Sequence, residues 1–281
     1  MPQITFGDYT IEAELGSGTF GKVVRGTHAH TGRRVALKVF DANMSQDLLR
    51  ELSMYNLVHG SFPSGSHGPR FIVDILGHCL HGPFPWMCMQ MRGRSLRDLV
   101  KEKVSFSLEE TGAIVRQLVL GLEALHGCKV VHLDLKTRNV LWDAADRHLH
   151  IIDLGMAEVF PVRKPSYTKY VTETYRPPEL WASSCILKLR PAVDVWSLGC
   201  VIFEVAMGKP LFEDNPCQAV AAWCNVYKTL VRGRQPAERG PGKHFAVWLT
   251  KLERRWRQLV LACCAPDPQA RCLKRLQLFQ K

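Results

Sequence analysis

The feature that most restricts the fold is a change of texture near residue 92. Before it, short β-branched and aliphatic runs dominate. "YTIEAEL" from Tyr9, "VVRGTHA" from Val23 and "RRVALKVF" from Arg33 predict strands, as do "FIVDILGHCL" and "WMCMQM". One helix interrupts them: Leu48, Leu52 and Tyr55 recur at helical spacing with Glu51 beside them, and Ser45 is placed to cap its start. "HGSFPSGSHGPR" is punctuated by Gly, Pro and Ser and reads as a loop. After "RGRS", helical periodicity takes over in "LEETGAIVRQLVLGLEALHG" and "AVDVWSLGCVIFEVAMG". Strands followed by helices predict an α+β architecture, with a small β-rich part over residues 1–91, a larger α-rich part over 92–281 and a cleft between them.

Composition narrows the classes further. With 46% hydrophobic and 22% charged residues in 281, the chain has ample material for a core. The ten cysteines show no C-x-x-C spacing, which favours reduced thiols in an intracellular protein, cytoplasmic or nuclear, over zinc or disulfides. "MPQITFGDYT" has neither a basic nor an apolar leader region, and no apolar run approaches the roughly 18 residues of a membrane span. The formal charge of +11 would attract acidic protein surfaces or nucleic acid. The cations are spread along the chain without aromatic interleaving, which makes nucleic acid the weaker partner.

"GSGTFGKV", residues 16 to 23, holds one of two phosphate devices. Gly16, Gly21 and Lys22 nearly spell a P-loop, but Val23 stands where that loop needs a hydroxyl for magnesium. The same letters read G-x-G-x-x-G-x-V, in which Gly16, Ser17, Gly18 and Gly21 form a backbone flap over phosphates and Val23 packs on a base. Further residues follow in a chemically ordered series. Lys38 in "VALK" offers an ammonium to α and β phosphates, and Glu51 is placed to hold it. In "HLDLKTRN", Asp134 can accept a hydroxyl proton; Asn139, five residues on, and Asp153 of "DLG" supply oxygens for a magnesium ion. Singly, each has a plainer role as surface pair, turn residue or helix cap. Jointly, their order along one chain makes the plainer roles a poor account.

These motifs resemble the eukaryotic protein kinase catalytic domain, over about Tyr9 to Arg271. The resemblance implies a bilobal fold, ATP and Mg2+ as cofactors, and transfer of a phosphoryl group to protein substrates. It makes Lys38 the phosphate-pairing lysine with Glu51 as partner, Asp134 the catalytic base, Lys136 the phosphate-steadying lysine, and Asn139 with Asp153 the metal ligands. It pairs Glu179 of "RPPEL" with Arg271 of "DPQAR", and gives Asp194 of "DVWSLG" the backbone of the catalytic loop to hold. Met89 takes the gatekeeper position; Gln90, Met91 and Arg92 offer backbone groups to adenine; Val23, Ala36 and Leu141 sandwich the base. Tyr55, Ile75, His132 and Leu154 form the stack that couples the lobes. "DLKTRN", and Thr172 seven residues before Glu179, resemble serine/threonine kinases more than tyrosine kinases. "YRPPEL" is similar to the group of cyclin-dependent, mitogen-activated and Clk-like kinases, although Glu173 and the short stretch before Arg271 depart from it.

Three further departures carry expectations. Leu133 stands where many relatives have an arginine that receives an activation-loop phosphate, so activity should not depend strongly on loop phosphorylation. Leu154 replaces a phenylalanine but stays apolar. Ten residues follow Arg271, so the last helix is expected to be short or cut off, at a slight cost to the stability of the larger part. Ser166, Tyr167, Thr168, Tyr170 and Thr174, beside Arg163, Lys164 and Lys169, are candidate phosphorylation sites, and these bases also suit acidic substrates or docking partners. Two alternatives remain beside an active enzyme: a weakly active kinase or pseudokinase scaffold, and an anion-binding module resting on charge alone.

Overall fold

Alternation within single strands decides how the N-terminal sheet faces the rest of the chain. The computed structural model describes residues 5–18, 21–63, 68–164, 171–181, 187–234 and 242–276. Strands β1 (Thr5–Phe6), β2 (Tyr9–Gly18), β3 (Gly21–His28) and β4 (Arg34–Phe40) pair antiparallel in sequence order. Helix α1 (Ser45–Gly60) follows, then β5 (Ile75–Cys79) and β6 (Trp86–Gln90) complete a six-stranded sheet in the order β1-β2-β3-β4-β6-β5. On β4, Val35, Leu37 and Val39 turn to one face and cluster with Val24 and Cys88. Ala36, Lys38 and Phe40 therefore turn to the other, where Ala36 and Phe40 join the main core. Gly21 ends the glycine hairpin at φ +133°, and a Cβ there would lie 2.1 Å from the Val39 carbonyl oxygen, so only glycine fits.

Helix α1 buries Leu48, Glu51, Leu52, Tyr55 and Val58, a stripe at helical spacing that carries one carboxylate among apolar side chains. Its start corrects the expected cap. Ser45 is the first helical residue, Met44 precedes it without a side-chain bond, and Ser45 Oγ donates to the Leu80 carbonyl at 3.2 Å. The hydroxyl thus ties the helix to the end of β5.

Past residues 90–93, the hinge between the two regions, come β7 (Arg94–Ser95), α2 (Leu96–Lys101) and α3 (Leu108–Gly127). The start of α3 is fixed by a reciprocal cap: Ser107 Oγ accepts from Glu110 N at 3.1 Å while Glu110 Oε2 accepts from Ser107 N at 2.9 Å. Strand β8 (Val130–Val131) leads into the loop that carries Asp134, and the hairpin β9 (Val140–Asp143) and β10 (His148–Ile151) carries Leu141 and ends just before Asp153. Strand β11 (Glu158–Val159) pairs back onto β8, and β12 (Val162–Lys164) pairs with β13 (Leu187–Leu189). Helices α4 (Ala192–Met207), α5 (Pro216–Val231), α6 (Lys243–Lys251), α7 (Arg254–Cys263) and α8 (Leu273–Leu276) complete the chain. Helix α4 is buried on every side from Ala192 to Val205, which is why its pattern is apolar almost throughout. The two regions meet where Val73 N donates to Ile151 O at 3.1 Å.

Candidate active site

Lys38 is the meeting point of the sheet, α1 and the C-terminal region. Its Nζ donates to Glu51 Oε2 at 2.7 Å and to Asp153 Oδ1 at 2.7 Å. Burial works against the charge of Lys38, but Glu51 and Asp153 overcome it and hold the ammonium above the usual lysine range. Asp153 is also buried, and Lys38 outweighs that burial to keep its carboxyl below the usual range. Glu51 lies deepest, and burial pushes its carboxyl up to about 7 against the pull of Lys38. Asp153 is held at φ +66°, a left-handed conformation that side chains other than glycine adopt at a cost. Its N–H donates to the Tyr55 hydroxyl at 2.9 Å, which fixes that conformation. Tyr55 and Leu154 belong to the main core and Ile75 packs against it; His132, fully buried, meets the Ile152 carbonyl through Nε2 at 3.1 Å.

The loop that carries Asp134 is suspended from α4. Asp194, in the first turn of that helix, accepts from His132 N at 2.9 Å and Leu133 N at 3.0 Å, and its Oδ2 meets His126 Nε2 at 2.8 Å. Burial opposes its charge; His126 and the His132 N–H prevail and hold its carboxyl low. Leu133 can therefore hold its own left-handed backbone, φ +64°. Asp134 is then fastened on both oxygens: Oδ1 accepts from Thr172 Oγ1 at 2.7 Å and from Thr172 N at 3.2 Å, and Oδ2 from Lys136 Nζ at 2.5 Å. Lys136 also donates to Thr172 Oγ1 at 3.0 Å. Asn139 Nδ2 donates to the Asp134 carbonyl at 2.9 Å, which turns its Oδ1 the other way. The ionised Asp153 carboxylate and the Asn139 carboxamide oxygen are hard donors, the kind a magnesium ion takes beside phosphate oxygens and water. Among the described residues no group of three or more His, Cys, Asp or Glu is placed to hold a metal ion.

Of the expected base-binding positions, Val23, Ala36 and Met89 lie on strands beside Lys38. Val23 lies opposite Lys38 across β3 and β4, Ala36 opposite Met89 across β4 and β6, and all of Val23, Ala36 and Leu141 are half-buried. Gly16, Ser17 and Gly18 pair with Val23, Lys22 and Gly21, and a Cβ on Gly16 or Gly18 would meet nothing within 4 Å. Their glycine character thus leaves room above the cleft. Gln90 N donates to the Asp74 carbonyl at 3.3 Å, so its amide is already engaged. Glycine is required at Gly93, where a Cβ would sit 2.1 Å from the Trp142 carbonyl oxygen; the hinge lies directly on β9.

Several partners escaped the motif reading. Glu204 of α4 accepts from the Tyr175 hydroxyl, from Thr137 Oγ1 at 3.2 Å and from Arg97 Nη1 at 2.9 Å, bracing the catalytic loop from below. Arg138 Nη1 reaches across the cleft to the Ser17 carbonyl at 3.4 Å. Arg50 donates to Glu158. No local pattern in the sequence announces these, because the partners lie 29 to 121 residues apart on different elements. The pairing of Glu179 with Arg271 is present at 2.6 Å, Arg271 being buried. Of the candidate phosphorylation sites, Ser166, Tyr167, Thr168 and Tyr170, with Lys169, lie outside the described residues; Thr174 is half-buried in the turn Glu173–Tyr175.

A sheet with one helix over a helical region, and an ammonium bridging two carboxylates where they meet, is the bilobal α+β kinase architecture. The protein kinase domain model matches residues 9–278, and the chain belongs to that family. The chain is similar to "Mitogen-activated protein kinase 8" of Arabidopsis thaliana, 33% identical over 219 residues, which cover 73% of this chain and 35% of that protein. "Mitogen-activated protein kinase 15" of Oryza sativa subsp. japonica is 32% identical over 219 residues, 73% of this chain and 42% of the relative. The chain thus spans about two fifths of the length of these relatives.

Proposed function

We propose that the chain is an ATP-dependent serine/threonine kinase that transfers the γ-phosphoryl group of Mg-ATP to protein hydroxyls, with an N-lobe over residues 1–91 and a C-lobe over 92–281. The observation that carries this reading is the Lys38 ammonium, 2.7 Å from Glu51 on one side and 2.7 Å from Asp153 on the other. Lys38 would hold the α and β phosphates under the flap Gly16 to Gly21. Val23, Ala36 and Leu141 would enclose the base beside Met89, with the Gln90 carbonyl and the peptide groups of Met91 and Arg92 addressing its edge. Asn139 and Asp153 would hold Mg2+, which when bound neutralises charge on the phosphates. Asp134 orients and receives the proton of the acceptor hydroxyl, Thr172 and Lys136 keep that carboxylate aimed, and Lys136 is poised to steady the phosphoryl oxygens. Thr172 beside Lys136 supports serine or threonine as acceptor, and the charge of +11 supports acidic protein substrates.

No helix among the described residues is long and apolar enough to cross a membrane. The cysteines described are all free, which supports an intracellular site of action. The test is phosphate transfer from γ-labelled ATP to a mixed protein substrate, comparing the native chain with Asp134→Asn. Label on serine and threonine, reduced at least about 100-fold in the variant, is expected, since general-base catalysis contributes 10²–10⁴-fold. Equal transfer by both chains, or none by either, overturns the assignment.

A further inference from the structure

Helix α1 presents two consecutive residues to different parts of the molecule. Glu51 points inward to Lys38, and Arg50, about 100° round the helix, donates through Nη2 to Glu158 Oε1. Glu158 lies five residues after Asp153, at the start of the segment that runs on to Thr172. That start is fastened to the catalytic loop. Glu158 pairs with Val131 across β11 and β8, Phe160 N donates to Lys129 O at 2.8 Å, and Val131 leads straight into His132, Leu133 and Asp134. Below it, Leu133 is buried with Val131, Val171, Leu180 and Val193, and Met156 and Phe160 pack on the cluster. At Leu133 the loop therefore offers apolar atoms and no cation to an incoming phosphate. Side chains of Arg50 and Glu158 are 39% and 15% exposed, so the ion pair is partly shielded and less screened than a surface pair.

We propose that Arg50 and Glu158 are positioning residues that latch α1 to the start of this segment and so keep Glu51 on Lys38, the anion of the latch being the chain's own carboxylate and not an added phosphate. The inference rests on the kinase reading above. The Arg50 pair adds an attachment on a neighbouring face to those that Glu51 makes with Lys38 and the Tyr55 hydroxyl with Asp153 N, and so opposes rotation of the helix. A helix free to turn would carry the Glu51 carboxylate off the ammonium and leave Lys38 to shift with it.

Steady-state kinetics on Arg50→Gln, Glu158→Gln and the swapped double variant Arg50→Glu with Glu158→Arg test this, together with melting temperature and hydrogen exchange of the 45–60 amides. Each single variant is expected to lose about tenfold in kcat, within the usual range of coupling between sites, with a near-native melting temperature and faster exchange in α1. The swap is expected to regain most of kcat and of the protection, and phosphatase treatment of the native chain to leave both unchanged. Native kcat and exchange in the single variants overturn the latch. So does a loss that follows a falling melting temperature with no rescue by the swap. Loss of activity and α1 protection on dephosphorylation overturns the assignment of the anion. If the native chain transfers no phosphate, the kinase reading fails, and α1 exchange in native chain against Glu158→Gln still decides the latch.

Discussion

A carboxylate proposed to accept a proton is useful only if it is held still beforehand, and Asp134 is held by four donors. Two come from Thr172, through its hydroxyl at 2.7 Å and its N–H at 3.2 Å, one from Lys136 at 2.5 Å and one from Asn139 Nδ2 at 3.4 Å. A hydrogen bond to a charged group contributes about 1.5–3 kcal/mol, and about 1.4 kcal/mol of transition-state stabilisation is a factor of ten. Thr172→Ala should therefore lower kcat roughly 10- to 100-fold while KM for ATP and the melting temperature change little. Thr172→Ser keeps the hydroxyl and should retain most of the rate. A serine variant as slow as the alanine variant would show that the methyl packing, not the hydroxyl, matters. The same principle explains the two left-handed residues of the site: Leu133 and Asp153 adopt φ +64° and +66° because Asp194 and the Tyr55 hydroxyl bind their amides.

Elements make a second kind of constraint, and here the limits of the sequence are plain. The strands and long helices were legible because apolar spacing reports local geometry, and Glu51 stood out because it occupies the stripe of Leu48, Leu52 and Tyr55. Ser45 read as a cap, since nothing local reveals that its hydroxyl would find Leu80 instead. Gly93 is not singled out at all, since its requirement is the Trp142 carbonyl on another strand. Strand β10 carries a consequence of the same long-range kind. His150 is buried there, and burial, with Arg92 and His148 adding and Asp143 opposing, drops its pKa from 6.5 to about 3. The fold thus keeps the ring neutral while the unfolded chain takes up a proton below about 6.5. This stabilising contribution is complete above pH 6.5 and is lost as pH falls toward 3. Urea unfolding of the native chain should weaken across that window, and His150→Gln should flatten the slope by up to about 1.4 kcal/mol per pH unit. Parallel slopes for the two chains would remove His150 from the account.

At the scale of the whole molecule, the bond from Lys38 to Asp153 joins residues 115 positions apart and closes the cleft from both sides. A ligand that bridges the same groups adds its binding energy to the cooperative fold, not to one region of it. At 100 times its dissociation constant, a magnesium-bound, non-hydrolysable ATP analogue should raise the unfolding free energy by about 2.7 kcal/mol. One transition should move, because Lys38 on the sheet and Asn139 with Asp153 beyond the hinge would share the ligand. Chelating the magnesium should remove most of the shift, since the proposed role of Asn139 and Asp153 is to hold the metal and not the base. Asp153→Asn replaces the carboxylate that Lys38 keeps ionised, so its shift should be small and should no longer respond to the chelator. A shift in the native chain that survives chelation in full would mean that the nucleotide is held without these two oxygens, and the assignment of Asn139 and Asp153 as metal ligands would fall even if Asp134 remained essential for transfer.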